Sequence, residues 1–433
     1  MRNLLLAAIA AMLVLGLAAC GSSSSDSGSG GSSVGGSLNG AGATFPAPVY
    51  NEFAANLKDQ QGTTVNYNAI GSGGGVAQYT AGTVDFGASD SPLKPEERTA
   101  AEAKNGPTLQ IPTVFGAITI SYNVAGVKTG LKLDGATVAD IFAGRVTKWN
   151  DPKIASANPG VTLPSATIET CHRSDSSGTT KNFTKFTSAY DSTWEQQIGV
   201  DKTVKWPGGI GAKGNDGVAA CIKQTPNSVG YVEQAYALQN NFTFASIKNK
   251  SGNYVAPTLE STSAAGDGLT IPADLGFSPI DAPGPQAYPI TSSTFLLVAT
   301  DACKNAGKSQ QQAQLVKDWV SYALGKGQSV AKQLDYAPLP APVLAKAAAA
   351  AATLACNGTV LKAREQVSQE YYNRNPKAVK TVALRDISTE VFQSPAEAVA
   401  ALEPKAAPKV EAPKAEAKPA TPAPTKRKIE DKE

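Results

Sequence analysis

Three short segments of this chain combine residue types that could grip an anion: Ala43-Thr44-Phe45-Pro46, Ile70-Gly71-Ser72-Gly73-Gly74 and Arg173-Ser174-Asp175-Ser176-Ser177-Gly178-Thr179. Each brings backbone N–H groups and hydroxyls to the expected start of a helix, where N–H groups lack intrahelical partners and the positive end of the dipole lies. Glycine lets the backbone come close to a ligand. Any one of the segments alone reads as an ordinary Ser/Thr helix cap. Together, with Arg173 able to grip two oxygens at once, they point to a tetrahedral oxyanion. Asp90, just before Ser91-Pro92, reads from its neighbours either as a cap or as a site acid, and Arg173 either as a site cation or as a surface partner of Asp175. Asp85 and Asp216 read as turn or cap residues.

Other chemistry is thinly supplied. The chain holds one histidine, His172, which argues against a His-based zinc site, a facial triad and Ser-His or Cys-His catalysis. No catalytic residue, metal or cofactor is expected, and His172 reads as a bystander of Arg173. Gly209-Ile210-Gly211-Ala212-Lys213-Gly214 formally matches the dinucleotide fingerprint, but it follows Trp206-Pro207 rather than a clear apolar strand. Gly71 to Gly75 lacks the Gly-Lys-Ser/Thr ending of a P-loop.

The elements that must position these segments alternate β-rich runs with helical patterns, the mark of an α/β protein. Phe45, Val49, Phe53 and Leu57 form one face of a helix. Val65 to Ile70 reads as a strand that turns through glycines into a helix reaching about Ala81, then come a strand at 84–88 and a helix at 94–104. The run from Leu109 to Tyr122 reads as a buried strand and a candidate crossing between two lobes. A second α/β set follows: helices at 137–143, after Ser177 and at 216–223, with strands before Cys171 and at 228–233. Tyr288 to Ala299 is a strand that could cross back, and helices fit 310–324 and 341–356.

The chain's 433 residues allow two domains plus tails. Residues 1–360 hold 25 Lys+Arg and 25 Asp+Glu, so the formal charge of +3 comes from the tail, and without a broad basic face nucleic acid is not an expected partner. Residues 1–20 have the order of a secretion signal: one Arg, an apolar run from Leu4 to Leu17, then small residues. That run of about 14 residues is shorter than the roughly 20 a spanning helix needs. Leu17-Ala18-Ala19-Cys20 resembles a bacterial lipobox in which Cys20 is lipidated, the alternative being a plain cleaved signal. Residues 21–37 read as a Gly/Ser tether. Cys171, Cys221, Cys303 and Cys356 remain, an even number in an exported chain; three pairings are possible, or four buried thiols. Residues 358–433 read as a tail, partly helical and then Ala/Pro/Lys/Glu-rich with too few large apolar groups to order itself.

The segments GAGATFPAPVY (40–50), GSGGGVAQYTAGTVDFGASDSPL (71–93), HRSDSSGTT (172–180), VKWPGGIGAKGNDGVAA (204–220), SVGYVEQAYA (228–237), YPITSSTF (288–295) and LDYAPLP (334–340) resemble, in order, the periplasmic phosphate-binding proteins of ABC-type phosphate importers, the PstS family. The resemblance covers about residues 38–357. It implies a type II-like periplasmic-binding-protein fold, with two α/β lobes joined by two crossing strands as a hinge and the ligand in the cleft between them. Residues 38–110 with 288–357 would form one lobe and 111–287 the other. It implies that Thr44, Phe45 and Ser72 donate to phosphate, that Asp90 accepts the phosphate hydrogen and that Arg173 binds with its guanidinium. Asp175 would hold Arg173, and Ser177, Gly178 and Thr179 would complete the shell. Pairing Cys171 with Cys221 and Cys303 with Cys356 is favoured, because each pair would then lie within one lobe. Many relatives lack the Cys171 and Cys221 pair, and the family says nothing of the tail. The resemblance implies a receptor that does no chemistry: a monomer, lipid-anchored on the outer face of the cytoplasmic membrane or in the periplasm, with inorganic phosphate and permease subunits as partners. Rival readings are a secreted phosphatase with the same anion cradle, and an adhesin or scaffold that reuses the fold.

Overall fold

The computed structural model of the chain describes residues 35–364. The leader 1–20 with Cys20, the tether up to residue 34 and the tail beyond residue 364 lie outside the described residues. The first strands are β1 (Ser37–Gly42), β2 (Thr64–Ala69) and β3 (Phe86–Ser89), with β1 pairing in parallel with both others. Parallel neighbours need a crossover, supplied here by helices α1 (Ala47–Gln61) and α2 (Ser72–Ala81). Helix α1 buries the face read from the sequence, Val49, Phe53 and Leu57, together with Tyr50. It stops at Gly62, whose φ of 68° lets its N–H turn back to the Lys58 carbonyl.

After helix α3 (Pro95–Asn105), the 16-residue strand β4 (Thr108–Asn123) spans the molecule. The later strands are β5 (Glu169–Arg173), β6 (Ile210–Ala212), β7 (Ser228–Glu233), β8 (Thr243–Phe244) and β9 (Thr291–Ala299). The nine-stranded sheet has the order β2-β1-β3-β9-β4-β7-β5-β6, with β8 also on β4. The two ends of β4 serve different neighbours: Thr108 to Ala117 pair with β9, and Ile118 to Asn123 pair with β7.

Two apolar cores follow this division. One gathers Phe45, Phe53, Phe86 and Trp319, and the other Trp149, Phe183, Trp194 and Tyr231. Along β4, Val114 and Phe115 belong to the first core, while Ile118 and Ile120 belong to the second. The chain returns the same way, with Tyr288 and Ile290 in the second core and Phe295 and Leu296 in the first. Two crossing strands thus join two α/β lobes, as expected. Between the cores the return passes Thr291, Ser292, Ser293 and Thr294, all buried. Ile271, Leu275 and Phe277, inside the stretch 111–287 expected to form one lobe, pack in the first core.

Several local features depart from the sequence reading. Strand β6 was not anticipated, because its residues form an exposed edge without an apolar run. The helix expected over 341–356 spans only Ala341–Ala351, and Ala355–Cys356 pairs instead with Thr359–Val360. The turn between them is Asn357-Gly358, with φ of 51° and 80°, a dipeptide suited to tight hairpins. Disulfides join Cys171 to Cys221, linking β5 to helix α5 (Gly214–Gln224), and Cys303 to Cys356. The fold also continues past the expected end at 357. Arg364 Nε donates to Asp318 Oδ2 (2.6 Å) and its Nη2 to Thr63 Oγ1 (2.7 Å), tying the chain to helix α6 (Gln310–Leu324).

Candidate functional site

Two helix starts face each other where the lobes meet. The first is α2: Gly71, at φ 90°, donates its N–H to the Gly42 carbonyl (2.9 Å) and sets Ser72 at the head of the helix against the end of β1. The second is α4 (Gly178–Ser188), where Ser177 Oγ accepts from Thr180 N–H (3.1 Å) as the cap. The Gly178 N–H donates across the cleft to Ser72 Oγ at 3.1 Å. A methyl group on Gly178 would lie 2.5 Å from Ser72 Oγ and 2.7 Å from Asp90 Cβ, so only glycine permits this approach.

The lobes touch around this point. Asn182 Nδ2 donates to the Asp90 carbonyl (2.7 Å), Gly73 N–H to the Ser176 carbonyl (3.0 Å), and Tyr236 OH to the Thr44 carbonyl (2.6 Å). At the rim, Lys94 meets Asp201 at 2.6 Å and Lys202 meets Glu97 at 2.5 Å. The two lobes are therefore closed on each other.

The hydroxyls are polarised by what donates to them. Ser72 Oγ accepts from both Asp90 N–H and Gly178 N–H, each at 3.1 Å. Thr44 Oγ1 accepts from the backbone N–H of Asn215 (3.2 Å) and from its Nδ2 (3.0 Å). A hydroxyl has two lone pairs and one proton, so with both lone pairs occupied each can only donate further. Arg173, 3% exposed, has its Nε and Nη2 fixed on Asp175 at 2.7 and 2.5 Å, and its Nη1 reaches Thr179 Oγ1 at 3.4 Å. Burial acts to raise the Asp175 carboxyl, but the Arg173 bonds and charge and the Gly214 N–H outweigh it and hold it below its ordinary value. The Gly214 N–H is given to Asp175 Oδ1 (3.0 Å), so the last glycine of the fingerprint-like run serves this site.

Asp90 is the acidic member. It is 2% exposed, its Oδ2 accepts from Ser72 Oγ at 3.3 Å, and its Oδ1 has no partner. Burial pushes its carboxyl up to about 7, against the opposing pull of the Thr294 hydroxyl, the Arg173 charge and Ser72. Phe45 contributes its ring to the first core and its carbonyl to Tyr336 OH (2.8 Å). His172 lies aside, its ring stacked on Trp206 with centroids 4.9 Å apart.

Ser72, Asp90 and Gly178 are hydrogen-bonded together, and Thr44, Thr179, Arg173 and Asp175 form a second set through Asn215, the two meeting at the Gly178–Thr179 peptide. Two further members were not picked out from the sequence. Asn215 bridges Thr44 and Thr179, and Glu233 Oε1 accepts from Thr179 Oγ1 at 3.3 Å. A lone acid ending the otherwise apolar strand SVGYVE was the one available signal for Glu233. Asn215 stood among small residues at a helix start, indistinguishable from a turn. Among the described residues no group of three or more His, Cys, Asp or Glu is placed to hold a metal ion.

Two α/β lobes on a shared pair of strands, closed over a cluster of buried polar groups, define a two-lobed binding protein. Residues 27–326 match the PBP superfamily domain. The phosphate-binding protein PstS of Xylella fastidiosa strain 9a5c is 40% identical over 306 residues, which are 70% of this chain and 81% of that protein. PstS of Pasteurella multocida is 41% identical over 312 residues, 71% of this chain and 88% of that protein. Among solved structures, a high affinity periplasmic phosphate-binding protein (PfluDING) bound with phosphate superposes with a TM-score of 0.60 at 23% identity, covering 76% of this chain and 100% of that one. The phosphate binding protein from Stenotrophomonas maltophilia gives 0.58 at 21% identity, covering 75% and 97%. The chain belongs to the PstS family of phosphate-binding proteins, within the PBP superfamily.

Proposed function

We propose that this protein is a high-affinity receptor for inorganic phosphate, which it delivers to the permease of an ABC-type importer. In this reading Thr44, Phe45, Ser72 and Asp90 bind one phosphate from the first lobe, and Arg173, Ser177, Gly178 and Thr179 bind it from the second, with Asp175 orienting Arg173. The observation that carries the reading is the pairing of two pre-polarised hydroxyls with a buried, unpartnered acceptor oxygen where the two lobes close on each other. Such a set of groups suits an anion that also carries a hydrogen, as phosphate does at neutral pH. The relatives' name, phosphate-binding protein, supports the same ligand. The receptor acts as an exported monomer, held at the membrane by lipid on Cys20, and catalyses nothing. The leader and lipobox-like residues support the export and the anchor. No helix of the described residues is long and apolar enough to cross a membrane.

Calorimetric titration of the full chain with phosphate, run beside a generic phosphatase assay, tests the core of this reading. A one-to-one binding heat without turnover is expected. No heat would sink the receptor, and turnover would replace it with the enzyme. Intact mass of the native protein should show a signal-cleaved, acylated chain, and an unmodified Cys20 would overturn the anchor.

A further inference from the structure

We propose that Glu233, held as the neutral acid, is a positioning residue for the anion site: it donates its proton to Thr179 Oγ1 and so commits the Thr179 hydroxyl to the ligand. The inference rests on the phosphate reading above and starts from a difference among the hydroxyls. Thr44 accepts two hydrogen bonds of 3.0 and 3.2 Å, which leaves its proton for the ligand, whereas Ser72 accepts two of 3.1 Å and gives its proton to Asp90 Oδ2 at 3.3 Å. Thr179 Oγ1 receives only two long contacts, 3.4 Å from Arg173 Nη1 and 3.5 Å from Asn215 Nδ2. Its strongest remaining neighbour is Glu233 Oε1, at 3.3 Å. Against a charged Glu233, Thr179 would spend its single proton there and offer an incoming anion only lone pairs. A neutral Glu233 makes no demand on that proton and can itself donate in place of one of the two long contacts, and the proton of Thr179 then points at the ligand.

The surroundings favour the neutral form on geometry alone. Glu233 is fully buried, and its Oε2 has no hydrogen-bond partner. An ionised carboxylate there would rest on one hydroxyl, with one oxygen desolvated and unpaired. The facing charges are the Asp90 carboxyl and the Arg173 guanidinium, the latter already engaged with Asp175; Tyr236, Tyr288 and Tyr336 are the other titratable groups that sense Glu233. Burial first, and Asp90 second, push the Glu233 carboxyl well above its ordinary value. A buried acid kept neutral so that it can donate is an established device of anion-stabilising sites.

Two measurements on the full chain test the proposal. Infrared difference spectra at pH 7, wild type minus Glu233→Gln, should contain the C=O stretch of a protonated carboxylic acid with or without phosphate. A spectrum with carboxylate bands alone overturns the inference, whatever the ligand proves to be. Calorimetry with phosphate should find Glu233→Gln, whose amide can still donate to Thr179, weakened by about threefold or less, and Glu233→Leu by about thirtyfold or more. Equal losses in the two variants overturn the positioning role. Should the Leu variant fail to fold, the Gln variant and the infrared band decide between them. A wild type that binds no phosphate sinks the receptor reading, whereas one that binds phosphate but shows no acid band sinks this inference alone.

Discussion

In the proposed site Asp90 would set a selective repulsion beside the anion. A charged carboxylate can only accept, so next to an anion it is tolerable only when the ligand brings a hydrogen. Phosphate brings one at neutral pH and sulfate does not, while the donors Thr44, Ser72, Arg173 and Thr179 would serve either. Competition binding above that carboxyl's value, at about pH 8.5, should therefore show sulfate ignored at millimolar concentration by the wild type, and Asp90→Asn should narrow the phosphate-to-sulfate ratio by about tenfold or more. Full discrimination in the mutant would remove Asp90 from that role. The raised value of about 7 adds a pH dependence. Above it the carboxyl is charged and repels sulfate; as pH falls through it the group becomes a neutral acid that can itself donate. Sulfate should then compete progressively better below about pH 7 in the wild type, and with no such trend in Asp90→Asn.

Helix α4 works as an element because its first turn has no side chain at Gly178. In Gly178→Ala the added carbon, 2.5 Å from Ser72 Oγ, must hold the lobes apart or displace Asp90. The expected result is a loss of phosphate affinity of about tenfold or more with an almost unchanged melting temperature, since the clash exists only across the closed cleft. A mutant that binds normally would show that closure does not need this approach. The disulfides act on elements in the opposite way. Cys303 and Cys356 close a loop of 53 residues and Cys171 and Cys221 one of 50, each worth about 4 kcal/mol by chain entropy. Replacing Cys303 and Cys356 by Ala should lower unfolding stability by about that amount in denaturant titrations and leave phosphate affinity intact, because neither sulfur belongs to the site network.

At the scale of the whole molecule, polar groups from both lobes meet at one place, so a phosphate bound there as proposed would couple to closure. Small-angle scattering should show compaction on adding phosphate, and an unchanged radius of gyration would contradict a closing receptor. A buried ion pair also ties Arg364 to helix α6. Asp318 and Arg364 are buried together, and removing one partner of such a pair costs about 3–5 kcal/mol. Arg364→Ala in the full chain should destabilise by that order on denaturant titration without altering phosphate binding, placing the end of the folded unit beyond residue 360.

Much of this was legible in the residues. The four-residue apolar repeat of Phe45 to Leu57, the unbroken run over 109–122 and the glycine turns before Ser72 specify their elements locally, because period and backbone freedom are properties of short stretches. The family resemblance of seven ordered segments then named most of the network from Thr44 to Thr179. Strand β6, the Asn357-Gly358 hairpin and the packing of Ile271 to Phe277 in the first core escaped, each depending on a distant partner: an edge to pair with, a cysteine to reach, a core to fill. Glu233 and Asn215 escaped for the same reason. Their side chains acquire a role only when β7 and α5 are folded against Thr179 and Thr44, and burial, which turns an acid into a donor, is a property of the closed tertiary structure that no stretch of sequence carries alone.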